Sequence, residues 1–344
     1  MTQHEIKSKH PLLDENGHLI EAGYAKDLIL DYDRSSIKAN GLRIKEWDYY
    51  LIYNDKYAIA LTVDDNSYMA LDSISLIDFT IPWEHTNSPM TFMTLGKRNF
   101  PSSSKRGDVV GEGKGYKIEF IRQDDCRILN FKMDDFLDGK PIEGSITLYD
   151  EKSESMVIVT PYKESKTHFY YNQKINCLPA DGKVTFDGKD YLFAPQSSYG
   201  TLDWGRGVWT YKNTWYWGSL SGNVDGHLFG FNIGYGFGDT SAASENMLFY
   251  DNVAHKISQV TFNIPMKDGK EDYMSDWTFT SDDGRFEMDF KPVIDRASNT
   301  DFVILGSNQH QVFGRFTGKA ILDDGQEIFI KDMMGFAEKV SNKW

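Results

Sequence analysis

Residues 199–222 read YGTLDWGRGVWTYKNTWYWGSLSG, and residues 227–246 continue HLFGFNIGYGFGDTSAASEN. Short aromatic and β-branched runs alternate here with glycine, serine and asparagine, which is the period of strands rather than of helices. Four of the eight tryptophans (Trp204, Trp209, Trp215, Trp217) and ten of the 29 glycines fall between Gly200 and Gly238. A few polar groups stand among them: Asp203, Arg206, Tyr211, Asn232, Glu245 and Asn246. Flat apolar walls with sparse polar groups are what a small-molecule pocket requires. For any single tryptophan the plainer reading is the inward face of a sheet. For the cluster the glycines favour a site, because glycine weakens a strand and is useful where a backbone bends sharply or is approached closely.

Outward from this stretch the same period continues. SMVIVTP at 155–161, KVTFDGKDYLF at 183–193, QVTFNIP at 259–265, WTFTSDDGRFEMDF at 277–290 and residues 311–340 all read as strands, and 40–160 alternates likewise. Asp-Gly pairs begin at Asp138, Asp181, Asp187, Asp225, Asp268, Asp283 and Asp324. That dipeptide suits the positive φ angles of tight hairpins, so the strands are expected to pair antiparallel with their sequence neighbours. Helical signal is confined to a turn or two near Asp33–Ala39 and Asp239–Asn246. The expected fold is all-β, as two antiparallel barrels in tandem or one strongly curved two-part sandwich. Residues 160–182, TPYKESKTHFYYNQKINCLPADG, are the least regular of the middle. They suggest an N-terminal extension over 1–40, a first β domain over 41–165, a crossing over 166–182 and a second β domain over 183–344.

At 344 residues with 40% hydrophobic and 14% aromatic content, the chain has ample material for buried cores. A formal net charge of −14 argues against nucleic acid and anionic membrane surfaces, which require a basic face. The aromatic stretch itself carries only Arg206 and Lys212, too few for stacking on single-stranded nucleic acid. Cys126 and Cys177 are the only cysteines, without CxxC spacing. MTQHEIKSKHPLLDENGH has no apolar core of a signal peptide, and no run approaches the roughly 18 apolar residues of a membrane span. The expectation is a cytoplasmic protein with no membrane span; nothing in the composition speaks to oligomeric state.

Neither GYGFGD (234–239) nor GEGKGYK (111–117) has the spacing of a nucleotide-phosphate loop, so no nucleotide cofactor is expected. The eight histidines are dispersed and Asp64-Asp65-Asn66 lacks the rest of a calcium loop, so no metal is expected either. There is no GxSxG elbow. Asp203 and Glu245 are candidate acid and base. The plainer readings are an ion pair of Asp203 with Arg206 bracing a GRG turn, and a loop contact for Glu245. FYYNQK (169–174) offers a Tyr–Lys pair for proton transfer, or a linker whose aromatics dock between the halves. His310 in HQVFGR is the best-placed histidine by context, although a lone histidine beside a strand is more often structural.

The strings LDWGRGVWTYKNTWYWGS, GFNIGYGFGD, SENMLF, SDDGRFEMDF, HQVFGRFTG and FAEKVSNKW closely resemble the bacterial family known as domain of unknown function 2804, over about Pro11 to Trp344. More distantly the chain resembles the carotenoid hydratase and tocopherol cyclase-like proteins, which implies a calycin fold of tandem lipocalin-like barrels. The hydratases carry a Gly-aromatic-Asp-His-x-Trp type string. GVWTYKNTW keeps Gly207, Trp209 and Trp215 but lacks the Asp-His pair, so the resemblance implies the fold and not hydratase chemistry.

These readings converge on a hydrophobic or amphipathic small molecule held in an aromatic-lined cavity, with Trp204, Trp209, Trp215, Trp217, Asn232, Tyr235, Asn246 and His310 as candidate contacts. Asp203, Arg206, Tyr211 and Glu245 are the candidates for cofactor-free hydratase, isomerase or cyclase chemistry, the indole faces stabilising developing positive charge. Glycines on both sides of Arg206 are expected to bend the chain so that Asp203, Arg206 and Tyr211 converge. At least two of Trp209, Trp215 and Trp217 are expected to line the cavity. A non-catalytic lipid- or isoprenoid-binding protein and a carbohydrate-active enzyme with paired carboxylates are the alternatives.

Overall fold

Hairpin after hairpin, the alternating runs fold into two large sheets and a small ribbon of Met266–Lys267 with Lys270–Glu271, in which every pairing between named strands is antiparallel. The computed structural model describes residues 3–150, 153–301 and 306–343. The central path of the first sheet runs Trp83–Asn87, Met69–Asp78, Tyr57–Asp65, Ile44–Tyr53, Tyr199–Val208, Ser165–Phe186, Lys140–Tyr149, Cys126–Leu137, Tyr116–Arg122 and Val109–Gly113. It curls until its edge strand Trp83–Asn87 returns to Cys126–Leu137, where His85 Nε2 lies 2.9 Å from Phe136 O and Asn87 Nδ2 donates to Asp135 O at 3.1 Å. The second sheet orders its nine strands Val253–Lys256, Met247–Tyr250, His227–Tyr235, Lys212–Val224, Glu327–Lys343, Gly306–Ile321, Phe286–Asp301, Trp277–Ser281 and Val260–Asn263.

The Asp-Gly signal is correct at four hairpins, where Asp138–Gly139, Asp187–Gly188, Asp225–Gly226 and Asp268–Gly269 all have positive φ at both residues. Asp181–Gly182 is different. It lies inside the long strand Ser165–Phe186, paired to Ile146 and Thr147. The crossing expected over 166–182 is therefore corrected: that segment is a central strand of the first sheet, and the chain passes between sheets at residues 209–211. Two prolines and several charges masked a strand whose residues from Phe169 to Asn176 alternate between its two faces. The turn near Asp33 is a single 3-10 turn, Arg34–Ser36, capped by Asp33, and residues 239–246 form no helix.

Each sheet encloses its own core. The first is built of residues such as Ile59, Leu61, Leu129, Phe131, Tyr171 and Trp204, the second of Phe229, Phe231, Trp277, Phe279, Phe290 and Phe316. Each such side chain contributes about 1.5–3 kcal/mol on burial. Two further clusters join the sheets through their outer faces, one around Tyr170, Trp209 and Phe237, the other around Tyr49, Trp217, Phe313 and Phe336. The N-terminal segment straps both halves: His4 N–H donates to Ala242 O at 2.8 Å, and Gly23–Ala25 pairs with Val157–Val159.

Candidate functional site

Strand alternation decides which residues meet between the sheets. On Ser165–Phe186, Phe169, Tyr171 and Ile175 enter the first core, while Tyr170, Asn172, Lys174 and Asn176 face the second sheet. Register then sets Lys174 beside Asp203, and Asp203 beside Tyr49. From the opposite sheet, Trp215 and Trp217 share one face of Lys212–Val224, and Glu338 is paired in register with Trp217. Gln311 faces Glu338 from the next strand.

The centre of this interface is polar. Lys174 Nζ lies 2.7 Å from Asp203 Oδ2 and 3.9 Å from the centre of the Trp217 ring. Asn172 Nδ2 donates to Asp203 Oδ1 at 2.6 Å. Glu338 accepts from Trp215 Nε1 at 2.9 Å and from Gln311 Nε2 at 2.9 Å. Trp217 Nε1 donates to Asn232 Oδ1 at 2.7 Å, and Asn232 Nδ2 donates to the backbone carbonyl of Glu245 at 2.8 Å. The Glu245 carboxyl, packed over Gly234, has no hydrogen-bond partner among the described residues.

Burial pushes that carboxyl up to about 7; Asp203 and Glu338 add to the rise, while Lys174 and Lys256 oppose it. Burial likewise raises Glu338 to about 6, against the Trp215 and Gln311 hydrogen bonds and the charges of Lys174 and Arg296. Two carboxyls thus change charge around neutrality within one electrostatic neighbourhood, an arrangement suited to giving and taking protons. Although deeply placed, these groups keep a trace of accessible surface: 9% for Tyr49, 8% for Asp203, 5% for Glu338 and 4% for Glu245, against 0% for Leu51, Leu202 and Leu220. The half-buried Trp47 and Trp215 pack beside the clusters that flank these groups.

The expected Asp203–Arg206 couple is corrected by the same alternation. Residues 199–208 form one straight strand rather than a GRG turn, and positions three apart on a strand point to opposite faces. Arg206 enters the first core, 3.0 Å from Asp48 and 3.8 Å from Glu46, stacked at 4.2 Å over Trp204. Gly205 serves a different purpose from a bend: a Cβ there would stand 1.9 Å from the Trp47 indole, which lies on the bare backbone. Tyr211 is 43% exposed in the turn between the sheets.

Trp209, Trp215 and Trp217 all reach the interface, but they pack largely against other rings. Phe237 stacks on Tyr170 at 4.3 Å and on Trp215 at 4.9 Å, with Trp209 5.1 Å away. Trp204 belongs to the first core, and Tyr235 packs on Tyr216 and Phe262 beside the second. Asn246 ties Gly234 N–H to Ser258 O. His310 stands apart, stacked on Tyr273 at 3.8 Å and 2.7 Å from Asp295, beside a surface concavity of about 610 Å3 that no tryptophan lines. Sequence reasoning passed over Tyr49, Gln311 and Glu338; Gln311 lies within HQVFGR, where His310 drew the attention, and Glu338 within FAEKV, a string that stood out only as resemblance. Among the described residues no helix is long and apolar enough to cross a membrane.

The family model described as "Domain of unknown function (DUF2804)" matches residues 3–344. No curated protein matches the sequence. Among solved structures, a protein provisionally assigned as AttH from Nitrosomonas europaea is similar, with a TM-score of 0.56 at 12% identity over 90% of this chain and 96% of that one. CghA is similar too, with a TM-score of 0.56 at 10% identity over 98% of this chain and 97% of that one. A crystal structure of CghA with Sch210972 gives a TM-score of 0.50 at 11% identity, over 96% of each chain. At these identities the likeness is one of fold, and it agrees with the all-β architecture expected from the sequence and the calycin fold that the resemblance implied.

Proposed function

The chain is thus a member of the DUF2804 family, and we propose that it binds a hydrophobic or amphipathic small molecule between its two sheets and moves a proton on it without a cofactor. One observation carries the reading: Glu245, buried and without a hydrogen-bond partner among the described residues, changes charge near pH 7 at the edge of an aromatic cluster. A carboxyl that needs nothing from the scaffold is placed to serve a substrate. In this scheme Glu245 transfers the proton. Asp203 is held in position by Lys174 and Asn172, and Glu338 is the second proton acceptor. Hydration, dehydration, isomerisation and cyclisation are the reactions such a pair supports, with indole faces stabilising developing positive charge. The bound compound in the structure of CghA with Sch210972 supports the view that this fold accommodates small organic molecules.

Native mass spectrometry of the purified protein, followed by extraction and identification of co-purifying molecules, supplies the ligand. Turnover of that ligand is then compared for wild type and Glu245→Gln. Loss of turnover by two orders of magnitude or more, about 3 kcal/mol of transition-state stabilisation, with binding retained, supports the proposal. Equal turnover in both proteins sinks the catalytic role, and binding with no turnover in either makes this a carrier.

A further inference from the structure

The inner face of the first sheet turns polar toward one end, away from the carboxyls between the sheets. Register aligns Ile175, Leu202, Tyr50, Leu61 and Ile74 as an apolar floor. Two residues along each strand the aligned set is Gln173, Trp204, Asp48, Val63 and Asp72, and two further along it is Tyr171, Arg206, Glu46 and Asp65. An apolar floor under sparse polar groups is how a barrel mouth holds a small molecule.

Residues 98–106 lie across that polar end. Arg98 Nη2 donates to Asp72 Oδ2 at 2.7 Å, Arg206 Nη2 to Pro101 O at 3.0 Å, and Arg127 Nη1 to Ser104 O at 2.9 Å. Ser104 Oγ donates to Gln173 Oε1 at 2.5 Å. The Arg206 guanidinium lies 4.9 Å from the centre of the Phe100 ring and 4.2 Å from that of Trp204. Side chains alone do this holding: among the described residues, 100–107 make no backbone–backbone hydrogen bond. Asn99 and Gly107, at the two ends, have φ of +52° and +85°. A concavity of about 400 Å3 lies beside the segment, lined by Leu28, Leu30, Tyr32, Ser102, Ser103 and Arg106. A segment tied down without a backbone ladder is the kind that opens at low cost in free energy.

One buried donor at this level is unused. Trp204 Nε1 has no hydrogen-bond partner among the described residues, a cost that an acceptor on a ligand removes. Asp48 stands 3.0 Å from Arg206 and Asp150 2.8 Å from Arg127, so the charge of each guanidinium is already met. An added anion meets those carboxylates as repulsion, whereas a neutral carbonyl is what both arginines hold now.

We propose that residues 99–106 are a displaceable lid over a second binding site, whose ligand is a neutral aromatic carbonyl compound that takes the places of the Phe100 ring and the Pro101 carbonyl on Arg206. The ligand's ring stacks on the guanidinium, its oxygen accepts from Arg206 Nη2, and Trp204 Nε1 supplies a further donor.

The test uses the full chain and two neutral probes of one shape, benzophenone and 1,1-diphenylethylene, which carries a methylene in place of the carbonyl oxygen. Calorimetric titration is expected to show benzophenone binding about tenfold more tightly, roughly 1.4 kcal/mol. Irradiated benzophenone inserts into neighbouring C–H bonds, and peptide mass spectrometry should find it on the lid or on Asp48, Tyr50, Leu202 or Trp204. Phe100→Ala removes the ring that competes with the ligand, so benzophenone should bind about tenfold more tightly still, with its lead over diphenylethylene kept. Unchanged affinity in that variant shows that the ring is never displaced and overturns the lid. Equal binding of the two probes by wild type, or binding of neither, overturns the site. Attachment to Trp47, Tyr49, Trp215 or Trp217 puts the probe between the sheets instead, which sinks this inference and leaves the proposed function standing.

Discussion

Replacing Glu245 by glutamine removes one titration and keeps the shape, so its effect on stability is predictable in sign and size. The folded carboxyl is raised from 4.5 to about 7 by burial. Between those values the folded state holds a proton that the unfolded chain has released, so stability falls as pH rises through the interval. The contribution is complete below the unfolded value and lost once the folded group has ionised. A rise from 4.5 to about 7 corresponds to roughly 3 kcal/mol in total, most of it falling between pH 5 and pH 8. Glutamine carries no such dependence. The stability of Glu245→Gln relative to wild type is therefore expected to improve by about 2–3 kcal/mol from pH 5 to pH 8, whatever its offset at either pH. Urea denaturation of both proteins at the two pH values measures it, and taking the difference cancels contributions from Asp64 and Lys45, which also titrate near 7; Lys256 is coupled to Glu245, so its response to the substitution is part of the measured difference. A difference that does not change with pH would mean that Glu245 is already ionised in the native state, and the reasoning about the site would collapse with it.

Three further outcomes follow from the geometry. Asp203→Asn strands the buried Lys174 ammonium and should cost about 3 kcal/mol, most of it recovered when Lys174→Met is added; absence of that recovery in a double-mutant cycle refutes the pairing. Gly205→Ala drives a methyl into the Trp47 indole and should cost about 1–3 kcal/mol with a changed near-ultraviolet circular dichroism spectrum, whereas an unchanged spectrum would show that Trp47 does not lie on that glycine. Tyr211→Phe should alter unfolding free energy by less than about 0.5 kcal/mol and leave ligand binding as it was; a larger effect restores Tyr211 to the site.

The all-β architecture and the antiparallel neighbours were legible because alternation and Asp-Gly turns are local signals. So was the shared face of Trp215 and Trp217, which have the same parity on one strand. Parity also speaks against the Asp203–Arg206 couple, since an odd separation on a strand divides faces, but the flanking glycines invited a bend that the strand does not make. What local pattern could not supply was register. Lys174 meets Asp203, and Glu338 meets Trp217, through pairings between segments 29 and 121 positions apart. The strand Ser165–Phe186 was misjudged for a related reason: its outward residues are polar because they face a buried polar centre rather than water, so the run imitates a linker.

That strand has an evolutionary corollary. Phe169, Tyr171 and Ile175 are committed to the first core, while Tyr170, Asn172, Lys174 and Asn176 face the second sheet. A saturation scan scored for folding and for ligand handling should therefore separate into two interleaved combs of period two. Inheritance along such a segment is modular at the scale of a single residue: a lineage can rewrite every second letter, and with it the molecule it recognises, while the alternate letters keep the barrel intact.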